Sequence, residues 1–470
     1  MSKNRFDLDP ERLATTDEQG YRIYLFPEEV KGIWKRRRFA VYWFLIGLYL
    51  VLPWIYIDGK PSLMLNIAKR EFTFVGHTLF GVEPVLLFLF LISGLFFIAF
   101  LTSVYGRVWC GWGCPQTVFI QAIFLKIEAF IEGTARQRLA LNEAPWSVEK
   151  FAKRSLKWLI FFLISSHIAH TFVGYFVGPR ELFWITLQAP SSHPGLFFAV
   201  TLTTGIFLFD FGWFREQFCI IACPYGRIQS VLMDEHSKVV AYDVKRGEPR
   251  RGSPGITREN EGDCVNCFSC VKVCPTGIDI RRGTQLECIA CTQCIDACDD
   301  IMEKVHKPKG LIRYATEQEL QEKPKAKRIR PYIYLGFSLL FISAFIFFLE
   351  RVTKPQMIFL RGTGAPYLMS EGDGQKWVTN KFTLKVKHQG EQIYKLKLQI
   401  KEQALYPQLQ MSSSSESLIL DKAEKKYFVF FKFPDKLLIE GSKKITVVGF
   451  DVDIQQEVVE KEITLVGPSL

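Results

Sequence analysis

Residues 264–298 read CVNCFSCVKVCPTGIDIRRGTQLECIACTQCIDAC. Cys264, Cys267, Cys270 and Cys274 follow C-x2-C-x2-C-x3-C with Pro275 behind them, and Cys288, Cys291, Cys294 and Cys298 repeat that spacing. A four-iron cubane needs thiolates at tetrahedral corners. A tight loop with two residues between ligands supplies three of them, and in bacterial ferredoxins the fourth comes from the other repeat. The spacing therefore predicts an inserted double 4Fe–4S module. Cys264, Cys267, Cys270 and Cys298 would hold one cluster, and Cys288, Cys291, Cys294 and Cys274 the other. Structural zinc favours two well-separated pairs rather than a run of four cysteines ahead of a proline. Asp299 stands where the first repeat has Pro275, which alters a turn but removes no ligand.

Four of the twelve cysteines remain. They sit in RVWCGWGCPQTVF (107–119) and EQFCIIACPYGRI (216–228), each a C-x3-C-P motif after an apolar run. Cysteines in this pattern point to metal or redox chemistry rather than to a disulfide framework.

The apolar runs decide the rest of the architecture. Phe39–Ile57, Pro84–Val104, Trp158–Val177, Gly195–Trp213 and Tyr332–Leu349 approach the roughly 20 residues a bilayer-spanning helix needs. The first begins too late for a cleavable signal and lacks a small-residue cleavage site, so it reads as a retained anchor. Thr117–Ile131 is also apolar but carries Lys126 and Glu128, which suggests an interfacial helix. A net charge of +11 suits contact with anionic lipid or with nucleic acid. The hydropathy favours lipid, and no nucleic-acid partner is expected.

Basic residues mark the cytoplasmic side of each span. KGIWKRRR (31–38) precedes the first span, a cluster from Arg107 to Lys157 follows the second, and KPKAKRIR (323–330) precedes the fifth. The resulting organisation is a basic cytoplasmic tail (1–38), a four-helix membrane domain with both C-x3-C-P motifs (39–235), a cytoplasmic ferredoxin module (236–331), a fifth span (332–349) and a periplasmic domain (350–470). FTLKVK, YKLKLQI, SLIL, YFVFFKF and ITVVGFDV alternate or concentrate apolar residues between turn signals. A β-sandwich of about seven strands is the simplest fold for them.

Spans one to four read as two copies of one unit: out, back, cysteine pair, short amphipathic helix. Proline suits the first turn of such a helix, and the i, i+4 spacing would place both sulfurs of a pair on one face. Packed together, Cys110, Cys114, Cys219 and Cys223 would gather four sulfurs at the cytoplasmic membrane edge. Such a group can bind Cu(I), cycle between thiol and disulfide, or hold a third iron–sulfur cluster. Buried packing is the plain alternative. Arg107, Arg215 and Arg227 lie close in sequence and could lower the thiol pKa values. His167 and His170 share a face inside the third span and are candidate metal or haem ligands. Asp210 lies near the cytoplasmic end of the fourth span. His77 and His193 receive no role.

The layout resembles the cytochrome c oxidase accessory family that includes CcoG, FixG and RdxA. CGWGCPQTVF, ACPYGRIQSV and CPTGIDIRRGTQLECIACTQCIDACD carry the likeness, which extends over nearly the whole chain. Membrane ferredoxins of nitrate and nitrous-oxide respiration share part of it, and the immunoglobulin-like tail favours the oxidase accessory group. The resemblance implies a bacterial inner-membrane protein in assembly of cbb3-type oxidase. Its task would be reduction of Cu(II) to Cu(I), with copper at Cys110, Cys114, Cys219 and Cys223. It also implies a cytoplasmic electron donor, copper chaperones or transporters and oxidase assembly factors as partners, and a possible homodimer.

Two other classes fit the residues. One is a quinone-linked electron relay, with His167, His170 and Asp210 shaping a quinone or haem site. The other is a non-catalytic assembly scaffold whose clusters are structural.

Overall fold

The computed structural model describes residues 15–468, apart from 17–18, 20, 58–59, 68–70, 75–76, 81–83, 254–256, 323, 325–327, 353–355, 362–364, 373–374, 388–393, 402, 421–424 and 439–440. Much of the expected basic tail, residues 1–14 above all, therefore lies outside the described residues. The chain divides into two compact units: Met1–Asn66 with Phe88–Ile342, and Ile67–Leu87 with Ser343–Leu470.

The first unit is a helical bundle joined to the ferredoxin module. Aromatic packing centres it. Phe124 meets Phe161 at 4.8 Å and Phe211 at 5.4 Å between ring centroids, and Tyr42, Ile46, Phe119 and Ile168 complete the buried cluster. Ser147 caps the long helix Val148–Val177 by accepting from the Lys150 N–H at 3.2 Å. Ser93 and Ser338 exchange hydrogen bonds with each other's carbonyls at 3.1 Å, letting two apolar helices approach closely.

Among the described residues, five helical stretches are long and apolar enough to cross a bilayer: Val85–Tyr105, Val108–Glu132, Val148–Val177, Pro194–Phe214 and Arg330–Leu349. Such a set marks a multi-pass membrane protein. Two sequence expectations change. The run Phe39–Ile57 is helical only as part of Ile33–Val51. It then tightens into a 3-10 turn at Leu52–Trp54 around Pro53 and continues as the strand Tyr56–Ile57. The first turns of that helix are cationic and are tied to the ferredoxin module, because the Asp296 carboxylate accepts the Trp34 and Lys35 N–H groups at 3.1 and 2.7 Å. Nor is Thr117–Ile131 a separate interfacial helix. It is the body of Val108–Glu132, packed into the bundle core.

Val108–Glu132 touches the ferredoxin module at its start and its middle and the N-terminal segment further on. Arg107 donates to the Leu286 carbonyl, Gln121 accepts from Gln293 at 3.3 Å, and Lys126 pairs with Glu29. The acidic charges of Val108–Glu132 are absorbed internally. Glu128 is 1% exposed and meets Arg215 at 2.9 Å, Lys157 at 3.2 Å and Arg138 at 3.4 Å, each of those cations being buried. Lys157 also reaches Glu132 at 2.7 Å. The helix widens into a π-turn at Ile120–Phe124, and the neighbouring helix does so at Leu208–Phe214. Such bulges recur at functional sites.

The ferredoxin module is framed by an antiparallel strand pair, Val239–Tyr242 with Ile312–Ala315, and by the helix Gln293–Lys304. Its two cysteine loops share a backbone signature. Asn266 and Phe268 have positive φ, and so do Ala290 and Thr292 at the equivalent places of the second repeat. Each costs about 1 kcal/mol or more for a non-glycine residue. The repeat of the strain in both loops shows that the cysteine wrap demands it.

The second unit holds two antiparallel sheets around one core. One has the order Gln410–Ser413, Lys425–Pro434, Gln375–Lys387, Gln356–Arg361, with Leu368–Gly372 also paired to Gln375–Lys387. The other runs Leu418–Leu420, Tyr394–Ile400, Ser442–Asp451, Gln456–Val466. Leu384, Leu396, Val429, Phe431, Val447 and Leu465 fill the space between them. A hairpin of Glu71–Phe74 and His77–Phe80 belongs to the same unit.

Removing Glu128 would leave the buried Arg138 and Arg215 without their carboxylate partner, while Lys157 keeps Glu132. Glu128→Ala should therefore cost about 3–5 kcal/mol, read as a lowered unfolding temperature of the purified protein. Alanine at an exposed carboxylate such as Glu149, 72% exposed at the side chain, should leave that temperature unchanged.

Candidate functional site

The ferredoxin cysteines line two cavities. Cys264, Cys267, Cys270 and Cys298 face one, together with Phe268, Arg281 and Met302. Cys274, Cys288, Cys291 and Cys294 face the other, with Thr276, Ile278 and Ile289, and Cys270 touches its wall. Four thiols on largely apolar walls are a donor set that fits a 4Fe–4S cluster. Burial pushes the Cys288 and Cys298 thiols up to about 12, so the bare thiols hold their protons and release them on metal binding. Thr276 Oγ1 lies 3.3 Å from Cys274 Sγ.

Arg281 places a fixed positive charge beside the first cavity. It spans Asp279 at 2.7 Å and Asn266 at 2.7 Å and lies over the Phe268 ring at 4.2 Å. Burial alone would raise the Asp279 carboxyl, but the hydrogen-bonded Arg281 holds it below the usual carboxylate range.

The two C-x3-C-P motifs share one local geometry, and it is not a continuous helical face. Cys110 lies in the short helix Val108–Trp112, whereas Cys114 is extended (φ −68°, ψ 124°) and caps the helix that Pro115 opens. Cys219 lies in a π-turn, Phe218–Ala222, and Cys223 is extended (φ −75°, ψ 111°) ahead of the Pro224–Leu232 helix. The following proline drives this break, because its ring disfavours the α conformation for the residue before it.

The motifs meet each other. Gln229, fully buried on the second motif's helix, places Nε2 3.2 Å from Cys110 Sγ. Arg107 donates to the Gly226 carbonyl at 2.8 Å, and Thr102 shares a 2.6 Å hydrogen bond with Tyr225. Burial pushes the Cys219 thiol up, and the nearby Cys114, Cys110 and Cys223 sulfurs add to the effect. At Cys110 burial likewise outweighs the lowering by the Gln229 hydrogen bond and by Arg107, so the sequence expectation of depressed thiols is not met. Arg215 is committed to Glu128, Arg107 to backbone carbonyls, and Arg227 is exposed. Among the described residues, no three Cys, His, Asp or Glu side chains converge closely enough to hold a single metal ion.

The first motif also docks on the ferredoxin module. A Cβ at Gly111 would lie 2.5 Å from the Ala290 carbonyl oxygen and 2.6 Å from that of Ile289, inside the loop between Cys288 and Cys291. Tyr42 donates to the Gly111 carbonyl at 2.5 Å, Tyr314 donates to Ala290 at 3.2 Å, and Arg38 donates to the Cys291 carbonyl. Trp34 packs edge-on against both Trp112 and Tyr314.

The span histidines join none of this. His167 is exposed on the bundle, and His170 Nδ1 bonds its own helix at the Ser166 carbonyl, 2.8 Å away. Asp210 accepts from Gln116 at 2.9 Å, behind the first motif. Gln229 and Gly111 are the functional positions that sequence reasoning missed, and Arg107 was singled out for its charge rather than for the carbonyls it holds. Glycine between two cysteines was the available signal for Gly111. Gln229 had none, because its partner lies 119 residues away.

Gly111→Val should force the Cys288–Cys291 loop away. We expect roughly half the iron to be lost, with the loss confined to one of two signals in EPR of the reduced protein. Arg281→Gln should shift the midpoint potential of the centre at Cys264, Cys267, Cys270 and Cys298 downward by tens of millivolts, on the order expected for a nearby charge, as read by redox titration.

Comparison with known proteins places these features in a family. The 4Fe-4S dicluster domain family matches residues 214–317, and the 4Fe-4S binding domain family matches residues 87–131. Protein RdxB of Cereibacter sphaeroides is 38% identical over 338 residues, covering 67% of this chain and 69% of RdxB. Protein RdxA of the same organism is 39% identical, covering 62% of each chain. Nitrogen fixation protein FixG of Rhizobium meliloti is 38% identical, covering 63% of this chain and 57% of FixG. The matched region thus spans between about half and two thirds of these relatives' length. The chain belongs to the RdxA, RdxB and FixG family of iron–sulfur proteins, the family its cysteine motifs resemble.

Proposed function

We propose that this chain is an electron-transfer protein of the bacterial inner membrane that reduces Cu(II) to Cu(I) during assembly of a cbb3-type oxidase. Cys264, Cys267, Cys270 and Cys298 hold one 4Fe–4S cluster, and Cys274, Cys288, Cys291 and Cys294 hold the second. When bound, such clusters supply one-electron exchange. The ferredoxin module faces the cytoplasm, where a soluble donor reaches it, and the β domain faces the periplasm. Oxidase assembly factors and copper chaperones or transporters are the partners in this reading.

The observation that carries it is the docking of Gly111 on Ile289 and Ala290. That contact puts the backbone of the first C-x3-C-P motif against the loop of a cluster-holding cysteine pair, with no side chain between. The four thiols at Cys110, Cys114, Cys219 and Cys223 then do the chemistry on copper. Two thiols give up two electrons and two protons to become a disulfide, while two Cu(II) become two Cu(I). Thiolate sulfur also prefers Cu(I) over Cu(II), so binding favours the reduced product. Gln229 orients Cys110, and the extended backbone at Cys114 and Cys223 sets each second cysteine at the start of the helix its proline opens.

The test uses full-length protein with intact iron content. Dithionite-reduced wild type should reduce added Cu(II), followed by a Cu(I)-specific chelator. Cys110→Ser with Cys219→Ser should slow this at least about tenfold, a barrier increase of roughly 1.4 kcal/mol, with both iron centres unchanged in EPR. An unaltered rate would remove the thiols from the reaction.

A further inference from the structure

A second polar site lies on the far side of Arg38 from the cysteine loops. Lys35, Arg38, Gln121, Lys126 and Arg138 line a cavity of about 50 Å³ whose floor includes Gln293. A single water needs about 10–15 Å³ measured this way, so the space suits several waters or one small tetrahedral anion. Three donors here are buried without an acceptor among the described residues: Arg38 Nε, Arg138 Nε and Gln121 Nε2. Their side chains are 1%, 3% and 5% exposed. Each such donor costs about 1–3 kcal/mol if left unmet.

Other polar atoms around the cavity have partners. Arg38 Nη1 serves the Cys291 carbonyl, and Arg138 serves Pro27 O at 3.2 Å and Glu128 at 3.4 Å. Gln121 Oε1 accepts from Gln293. Glu28 and Glu29 also border the space, but Glu29 is half exposed and already neutralised by Lys35 at 3.4 Å and by Lys126. Four cations thus face Glu28, Glu29 and, through Arg138, Glu128, and the buried unmet groups are all donors. The missing partner is an acceptor with negative charge.

We propose that this cavity binds a phosphate-type oxyanion, taking hydrogen bonds from Arg38, Arg138 and Gln121 and charge from Lys35 and Lys126. Two sources carry that chemistry: the headgroup phosphate of an anionic phospholipid and free inorganic phosphate. A basic pocket among apolar helices is a known setting for the first. Arg38 would link the anion to the carbonyl of Cys291, so occupancy would brace the loop that Gly111 docks on.

Native mass spectrometry of the full-length protein, released from nanodiscs containing phosphatidylglycerol, tests the lipid source. Titrating inorganic phosphate into delipidated protein while following its unfolding temperature tests the free ion. The proposal expects either one retained phosphatidylglycerol per chain or a saturable rise in unfolding temperature with phosphate. Gln121→Glu, and separately Lys35→Gln with Lys126→Gln, should weaken whichever is seen by at least about tenfold, since one charge-assisted hydrogen bond carries roughly that factor. Should Gln121→Glu lose its iron, Gln121→Leu takes its place and should weaken binding by about fivefold. Neither lipid retention nor a phosphate response in the wild type, or equal binding in wild type and iron-replete variants, overturns the proposal.

Discussion

Everything in the helical unit depends on how closely a cysteine motif can approach a cluster loop. Gly111 allows its backbone to sit against the carbonyls of Ile289 and Ala290, where any side chain would collide. The contact is clamped from three directions. Tyr42 holds Gly111, Arg38 holds Cys291, and Arg107 ties Leu286 to Gly226 of the second motif. Each clamp is a side-chain donor on a backbone carbonyl; Tyr42 brings no charge, whereas Arg38 and Arg107 each bury a guanidinium. Two cysteine motifs and one ferredoxin module thereby form a single packed assembly.

Holding that assembly at the edge of an apolar bundle carries a cost in buried charge. Glu128 answers it by collecting Arg138, Lys157 and Arg215 from three separate parts of the chain. Arg215 follows directly on the π-turn Leu208–Phe214 and lies four residues before Cys219. The ion cluster therefore anchors the approach to the second motif, as Asp296 anchors the first helix to the ferredoxin module. Buried pairs of this kind define which segments lie together more than they add net stability.

Much of this was legible in the sequence wherever the signal was local. The two ferredoxin repeats are defined by ligand spacing, and the structure groups their thiols around two cavities. The strands of the second unit follow alternation, as in YKLKLQI, whose apolar positions Leu396, Leu398 and Ile400 are buried. Long-range partners were not legible. Lys126 and Glu128 argued for an interfacial helix because their counter-ions, Glu29 and Arg215, lie about 90 residues away along the chain. Phe39–Ile57 looked like a full span, although Pro53 ends it early and its basic start belongs to the ferredoxin interface. The i, i+4 sulfur face failed because proline acts on the residue before it, a local rule that outweighs helical spacing here. Gln229 was invisible, since a glutamine on an amphipathic helix carries no mark of the sulfur it meets.

The central claim is that the four thiols of the C-x3-C-P motifs stand apart from the iron and remain available for redox chemistry. Anaerobic iron and sulfide analysis, combined with EPR and thiol counting on the intact protein, addresses it directly. The account predicts two four-iron clusters per chain and reactive thiols at Cys110, Cys114, Cys219 and Cys223. Three clusters per chain, with those four sulfurs protected from alkylation until the iron is removed, would contradict it.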